Sequence, residues 1–390
     1  MDSITSVGFT PGQDSISDKL PGASIKCASD CIAAGYVDKR AVIGTSRELV
    51  EHMAIDLGKH LCGKGLVVHE EESASLSSDF VGLHFKDMSG VITIRPHRLL
   101  KNRAAIMELL HRNHAIGCLF EVLLGHLTWA MLCRRETLCI VDQCYAFVRA
   151  HYGRSARLWP SVRRELRQAV ALLPLMRRRI ASAWCDTVTA SDSSPFGYGV
   201  CYRSADPELI ESMGGGQSEK WRFHFEDAIN ARRHCLEATS GCHGELGHVK
   251  SHMMNELLDR FNEVPKSFMS LDAWTIVWSR PWPHQANLLH TEALALVGSV
   301  KHQLRAKKTP GSRILARVDN LLLALSVMKG RARSSQLKGP HRMLCSLAFA
   351  THSALHVRWI PSEWNIAGRL ARSMHMWKAQ GVGNWWDLIY

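Results

Sequence analysis

From ASDSSPFGYGV, Ala190 to Val200, to about Ser373, the chain alternates strand-like runs with helical stripes, the pattern of an α/β domain. RILARVDN puts Ile314, Ala316 and Val318 on one face of a strand that ends at Asp319, and Asn320 opens the helical run LLLALSVMKG. NLLHTEALALVGSVKHQLR carries Leu289, Ala293, Leu296, Val300 and Leu304 at spacings of four, three, four and four. That stripe belongs to a helix packed on a sheet.

Three carboxylates sit at the ends of these elements: Asp192, Glu292 and Asp319. Each has a structural alternative. Asp192 stands among turn formers, Glu292 lies where it complements a helix dipole, and Asp319 stands at a helix-cap position. If instead they converge on one sheet edge, like charges a few ångströms apart need neutralising cations. Two hard divalent ions about 4 Å apart, bound through oxygen, suit the displacement of a phosphodiester. In a basic protein such a site suggests a nuclease.

The formal charge is +12, with 21 histidines besides, which favours a polyanionic partner over a membrane surface. No apolar run has the length of a transmembrane helix, and MDSITSVGFTPGQDSISDKL has neither a basic start nor an apolar core. The expectation is an intracellular chain, nuclear or cytoplasmic, and not secreted. The 12 cysteines form no paired CxxC knuckles and read as reduced thiols. HCLEATSGCH, His234 to His243, matches no zinc spacing.

Upstream, residues 1–32 are polar and are expected to be disordered. A strand and turn are predicted at GYVDKRAVIG, then a helix through SRELVEHMAIDLGKHL with Ser46 as N-cap, then strands at GLVVH and DFVGLHF. His97 to Arg149 reads as helical, and SVRRELRQAVALLPLMRRRIASAW as a further basic helix. Arg177, Arg178 and Arg179 are expected to track a phosphate backbone. KWRFHF mixes cations with aromatics, so Lys220, Trp221 and Arg222 suit either unpaired bases or a basic strand edge.

SDSSPFGYGV, HTEALAL, RVDNLLLALSVMKGRARSSQL and WIPSEWNIAGRLAR, in that order, resemble the ribonuclease H domain of retrotransposon reverse transcriptases, the DIRS type in particular. The resemblance implies a ribonuclease H-like mixed sheet with flanking helices over 183–373. It also implies Asp192, Glu292 and Asp319 as catalytic ligands of two Mg²⁺ ions, with Mn²⁺ as a substitute. Pro361, Ser362, Asn365 and Ala367 fit the last motif, and Gly368 stands where the family has a fourth carboxylate.

GYVDKRAVIGTSRELVEHM resembles a polymerase motif through Tyr36, Val37 and Asp38, with Lys39 in place of its second aspartate. Residues 33–92 are thereby expected to be a truncated palm, 93–182 a helical thumb and connection region, and 374–390 a tail. The stretch before Tyr36 is too short for the rest of a palm and fingers, so no polymerase activity is expected. Expected partners are nucleic acid, as RNA–DNA hybrid or single strands, and other proteins of such an element. Whether the chain cleaves the hybrid or only binds it is left open by Gly368.

Overall fold

The computed structural model describes residues 15–17, 31–36, 39–69, 72–86, 90–180, 182–215, 219, 264–306 and 309–380. Val37, Asp38, Lys220, Trp221, Arg222 and the HCLEATSGCH cluster lie outside the described residues. Within the polar N-terminal stretch, Ser15–Ser17 (β1) runs parallel to Cys31–Tyr36 (β2), which pairs antiparallel with Lys39–Gly44 (β3). Tyr36 and Lys39 face each other across the top of this hairpin. Arg47–Gly63 (α1) follows, and Ser46 caps it by accepting a hydrogen bond from the Leu49 amide at 3.3 Å. Its Leu49, Val50 and Met53 are partly buried against Cys31, which makes theirs the packed side of the helix.

GLVVH is not a strand, which corrects the sequence reading. Leu66 and Val67 are exposed and meet no partner strand among the described residues, so their β propensity has no surface to satisfy. DFVGLHF does form a hairpin, Ser78–Phe80 (β4) with Leu83–Lys86 (β5), joined through Val81 and Gly82 at positive φ. Val91–Ile94 (β6) extends it.

The helical region comprises Pro96–Arg112 (α2), Gly117–Met131 (α3), Asp142–Ala150 (α4) and Pro160–Leu172 (α5), with a 3₁₀ stretch over Leu132–Ile140. A short ribbon of His114–Ile116 (β7) and Ser155–Arg157 (β8) interrupts it. Phe120, Leu124, Phe147 and Leu166 form its core. Burying each such side chain stabilises by about 1.5–3 kcal/mol. The basic run after Pro160, predicted as one helix, is corrected: α5 ends at Leu172, and Pro174 lies in a single 3₁₀ turn. Proline cannot donate to a continuing helix. Arg177–Arg179 (β9) is then a strand paired with β6.

The second layer system begins at Trp184–Ser193 (β10) and Gly197–Ser204 (β11), followed by Pro207–Gly214 (α6) and Thr275–Pro281 (β12). Then come Leu288–Leu304 (α7), Arg313–Val318 (β13), Leu321–Lys329 (α8), Ser335–Thr351 (α9), Ala354–Trp359 (β14) and Ile366–Gln380 (α10). The sheet order is β12-β11-β10-β13-β14. β10, β13 and β14 run parallel, while β11 and β12 are antiparallel to their neighbours. This is a mixed sheet with helices on both faces, as the sequence led us to expect. Ile314, Ala316 and Val318 join Leu296, Leu323 and Leu344 of α7, α8 and α9, while Leu315 joins Ile210 and Ala367 on the other side.

One face of α9 also lies on the helical region. Lys338 pairs with Asp142, Arg342 Nη2 donates to Glu165 Oε1 at 2.8 Å, and the Phe349 ring lies 4.4 Å beneath the Arg134 guanidinium. Glu165 is 2 % exposed, and its other oxygen caps α4 by accepting from the Gln143 and Cys144 amides.

Candidate active site

β10 carries Asp192 to the edge of the sheet, one residue before its end. The Asp192 Oδ1 accepts a hydrogen bond from the Ser193 amide at 2.7 Å, which fixes the carboxylate. Opposite it on β11 stands Gly199. A Cβ there would come within 2.6 Å of Leu370 and 2.7 Å of the Ala367 carbonyl, so glycine lets α10 close on the sheet beside Asp192. The second glycine of FGYGV thus has a packing reason. β13 delivers Asp319 from the neighbouring parallel strand, and α7 delivers Glu292 from above.

The three carboxylates lie close enough to act on one another through their charges. Asp192 is 8 % exposed, and its pKa is pushed up to about 7, first by burial and then by the charge of Asp319, with which it also shares a hydrogen bond. The Ser193 amide and Arg372 oppose that shift. Glu292 is likewise raised to about 7, by burial and then by Asp319, while Asn320 and Asp192 act in opposite senses. The Asn320 amide donates to Glu292 Oε2, and its Oδ1 caps α8. The helix cap is therefore Asn320, not Asp319. Glu292 lies in the second turn of α7, beyond the reach of a first-turn dipole role.

Several neighbours had no signal of their own in the sequence. Ser193 Oγ donates to Thr291 Oγ1 at 2.9 Å and accepts from the Trp282 indole at 2.9 Å. Trp282 stacks on Tyr198 with ring centroids 4.3 Å apart. Gly368, at the start of α10, faces Asp192: a Cβ at 368 would lie 2.8 Å from Asp192 Oδ2 and 3.0 Å from Arg372 Nη2. The position expected to hold a fourth carboxylate is thus beside the cluster, and a guanidinium borders the space instead.

Among the described residues no group of three His, Cys, Asp or Glu side chains is arranged ready-made for a metal ion. The donor chemistry nonetheless fits a hard cation, because burial and neighbouring negative charge raise the pKa of Asp192 and Glu292, and a bound cation would offset both effects. The three expected arginines divide. Arg177 and Arg179 are exposed, whereas Arg178 turns inward, where burial lowers its pKa and Glu136 opposes that. Tyr36 and Lys39 lie far along the chain, in the β2–β3 hairpin.

No protein-family model matches the chain, and no curated protein matches it. Among solved structures, one that is similar is the foamy viral protease-reverse transcriptase in complex with RNA/DNA hybrid, at 12% identity and TM-score 0.26, covering 88% of this chain and 58% of that one. Another is the foamy viral protease-reverse transcriptase dRH in complex with double-stranded DNA, at 11% and 0.30, covering 84% and 46%. The chain spans less than two thirds of the length of either. What the strand order and the sheet edge themselves define is a mixed α/β domain with three carboxylates, of which Asp192 is buried, at one edge of its sheet.

Proposed function

We propose that the chain is part of a retroelement reverse transcriptase whose ribonuclease H-like domain binds an RNA–DNA hybrid and cleaves its RNA strand with divalent cations. The observation that carries this reading is the meeting of Asp192, Glu292 and Asp319 at one sheet edge. Mg²⁺ or Mn²⁺ held by these three would supply charge neutralisation and polarise the phosphodiester. The rest falls to the chain's own groups. The Ser193 amide and the Asn320 side chain aim the Asp192 and Glu292 carboxylates. Tyr198 and Trp282 offer an aromatic step beside them. Arg164 and Arg167 of α5, with Arg177 and Arg179, give exposed charge for phosphate. Polymerisation has no part in this reading, since Lys39 replaces a ligand of the polymerase motif.

A second reading is binding without cleavage, and Gly368 favours it: where a fourth ligand would stand, Arg372 reaches towards Asp192. A labelled hybrid incubated with the purified chain, with Mg²⁺, Mn²⁺ or EDTA, tests both. Metal-dependent release of cut RNA supports the first. Binding without a cut in either metal supports the second, and no binding sinks both.

A further inference from the structure

We infer that the cleft between the helical region and the ribonuclease H-like domain is a binding site for an unpaired nucleic-acid strand. This rests on the reading that the chain binds nucleic acid, but not on cleavage. The cleft encloses about 900 Å³. One wall is α4, with Tyr145 and Arg149; the other is the end of α8, the turn after it and the start of α9.

Charge selects the ligand. Arg149, Lys329, Arg331 and Arg333 line the cleft and are exposed, and none makes an ion pair with a carboxylate among the described residues. The one carboxylate in the lining, Asp142, is already held by Lys338. His341 adds no charge at neutral pH, because burial lowers its pKa to about 4; its Nε2 meets Ser326 Oγ at 3.1 Å. Four uncompensated cations on facing walls call for a ligand with repeated negative charge.

Shape and lining then narrow the choice. A cleft of this volume is of the size that encloses a small ligand. A strand with unpaired bases can lay them on apolar side chains, whereas a duplex keeps its bases paired and turned inward. Tyr145 and Leu325 are half-buried in the lining, and Leu322 is exposed there, so apolar surface for bases lies beside cations for phosphates. One helix links the cleft to the carboxylate cluster. Asn320 caps α8 and holds Glu292, and α8 then runs nine residues, about 13 Å, to the basic turn. His290, two residues before Glu292, bonds the Gln336 carbonyl at 2.8 Å and ties the α9 start to α7. A strand leaving the cluster along α8 arrives among these cations.

The test compares a labelled oligothymidylate with a blunt RNA–DNA hybrid, on the full chain, by fluorescence anisotropy over a salt series. Variants on opposite walls are R331A/R333A and R149A, each checked by thermal unfolding. The expected result is a loss of about 10-fold in single-strand affinity for R331A/R333A, with a salt slope shallower by about 1.4 for two phosphates lost. R149A should weaken single-strand binding in the same sense, and it keeps the test readable if the double variant misfolds. Blunt-hybrid affinity should change less than about 2-fold, a difference too small to count as a lost contact. Unchanged single-strand affinity in both variants overturns the proposal. Equal losses on hybrid and single strand overturn it too, by making the cleft part of a duplex path. Displacement of the oligonucleotide by polyglutamate as readily as by unlabelled oligothymidylate would assign the cleft to an acidic peptide. If the wild-type chain binds no hybrid at all, the hybrid reading fails while the single-strand measurement still stands.

Discussion

Gly368 and Asp192 approach so closely that a single added carbon at 368 would lie 2.8 Å from the aspartate Oδ2. The φ of Gly368 is not in the left-handed region, so the backbone itself admits other residues. What resists substitution is the Asp192 carboxylate, pinned by the Ser193 amide at 2.7 Å, together with the Arg372 guanidinium. Position 368 is a contact of the cluster.

Gly368→Asp should therefore be conditional on metal. In EDTA the added charge crowds Asp192, and the melting temperature should fall by several degrees. Millimolar Mg²⁺ should recover most of that loss, with metal affinity raised about 10- to 100-fold over the parent chain. Calorimetric Mg²⁺ titration and thermal scans read both. An equal loss with and without Mg²⁺ would mean the new carboxylate cannot join the cluster.

Asp192→Asn keeps the hydrogen bond from Ser193 and removes the charge. Any Mg²⁺-dependent hybrid cleavage should vanish, while stability changes by no more than about 1 kcal/mol. Surviving cleavage would return Asp192 to the role of a turn residue.

The cluster also sets a pH dependence. Burial and neighbouring charge raise Asp192 and Glu292 to about 7, from ordinary values of 3.8 and 4.5. Between those limits the folded state keeps protons that the unfolded chain has released, so this contribution to stability is full below about pH 4 and is lost as pH rises to about 7. Without divalent ions, melting temperature should fall from pH 5 to pH 8, and Mg²⁺ should reverse the fall at pH 8. The Glu292→Gln chain should show a flatter profile than the parent.

The three basic residues of β9 should separate by direction. R177A/R179A should weaken hybrid binding and reduce its salt slope by about 2, since the two side chains are exposed. Arg178→Ala should leave the slope alone and lower the melting temperature, because Arg178 packs inward near Glu136. Equal slopes across both variants would place the nucleic acid elsewhere.

Arg342→Ala strands Glu165, which is 2 % exposed and held above its usual pKa by burial. The expected cost is about 2 kcal/mol, the usual scale for leaving a buried group unpaired, read by denaturant unfolding. Replacing both partners, Glu165→Gln with Arg342→Ala, should cost less than the sum of the separate changes.

Where the sequence carried periodicity, the fold was legible. The stripe from Leu289 to Leu304 became α7, Ile314 to Val318 became β13, and Ser46 caps α1 as expected. GLVVH misled because strand formation depends on a neighbour that local sequence does not encode. The run from Ser161 to Trp184 misled because its basic spacing masked Pro174. At the site, strand-end position drew attention to Asp192 and Asp319, and the helical stripe to Glu292 near the start of α7. Arg372 and Thr291 were not visible, since only the closing of α10 and α7 on the sheet brings them to Asp192 and Ser193.

The α9 face that grips Asp142, Glu165 and Arg134 has a consequence for how such a chain can be divided. A cut near residue 182 looks like a natural seam between two modules. It would remove the cation from a buried carboxylate, Glu165, on one fragment and strip the other of the surface that α9 rests on. A fragment cut there would need α9 repainted with polar side chains before it could stand alone.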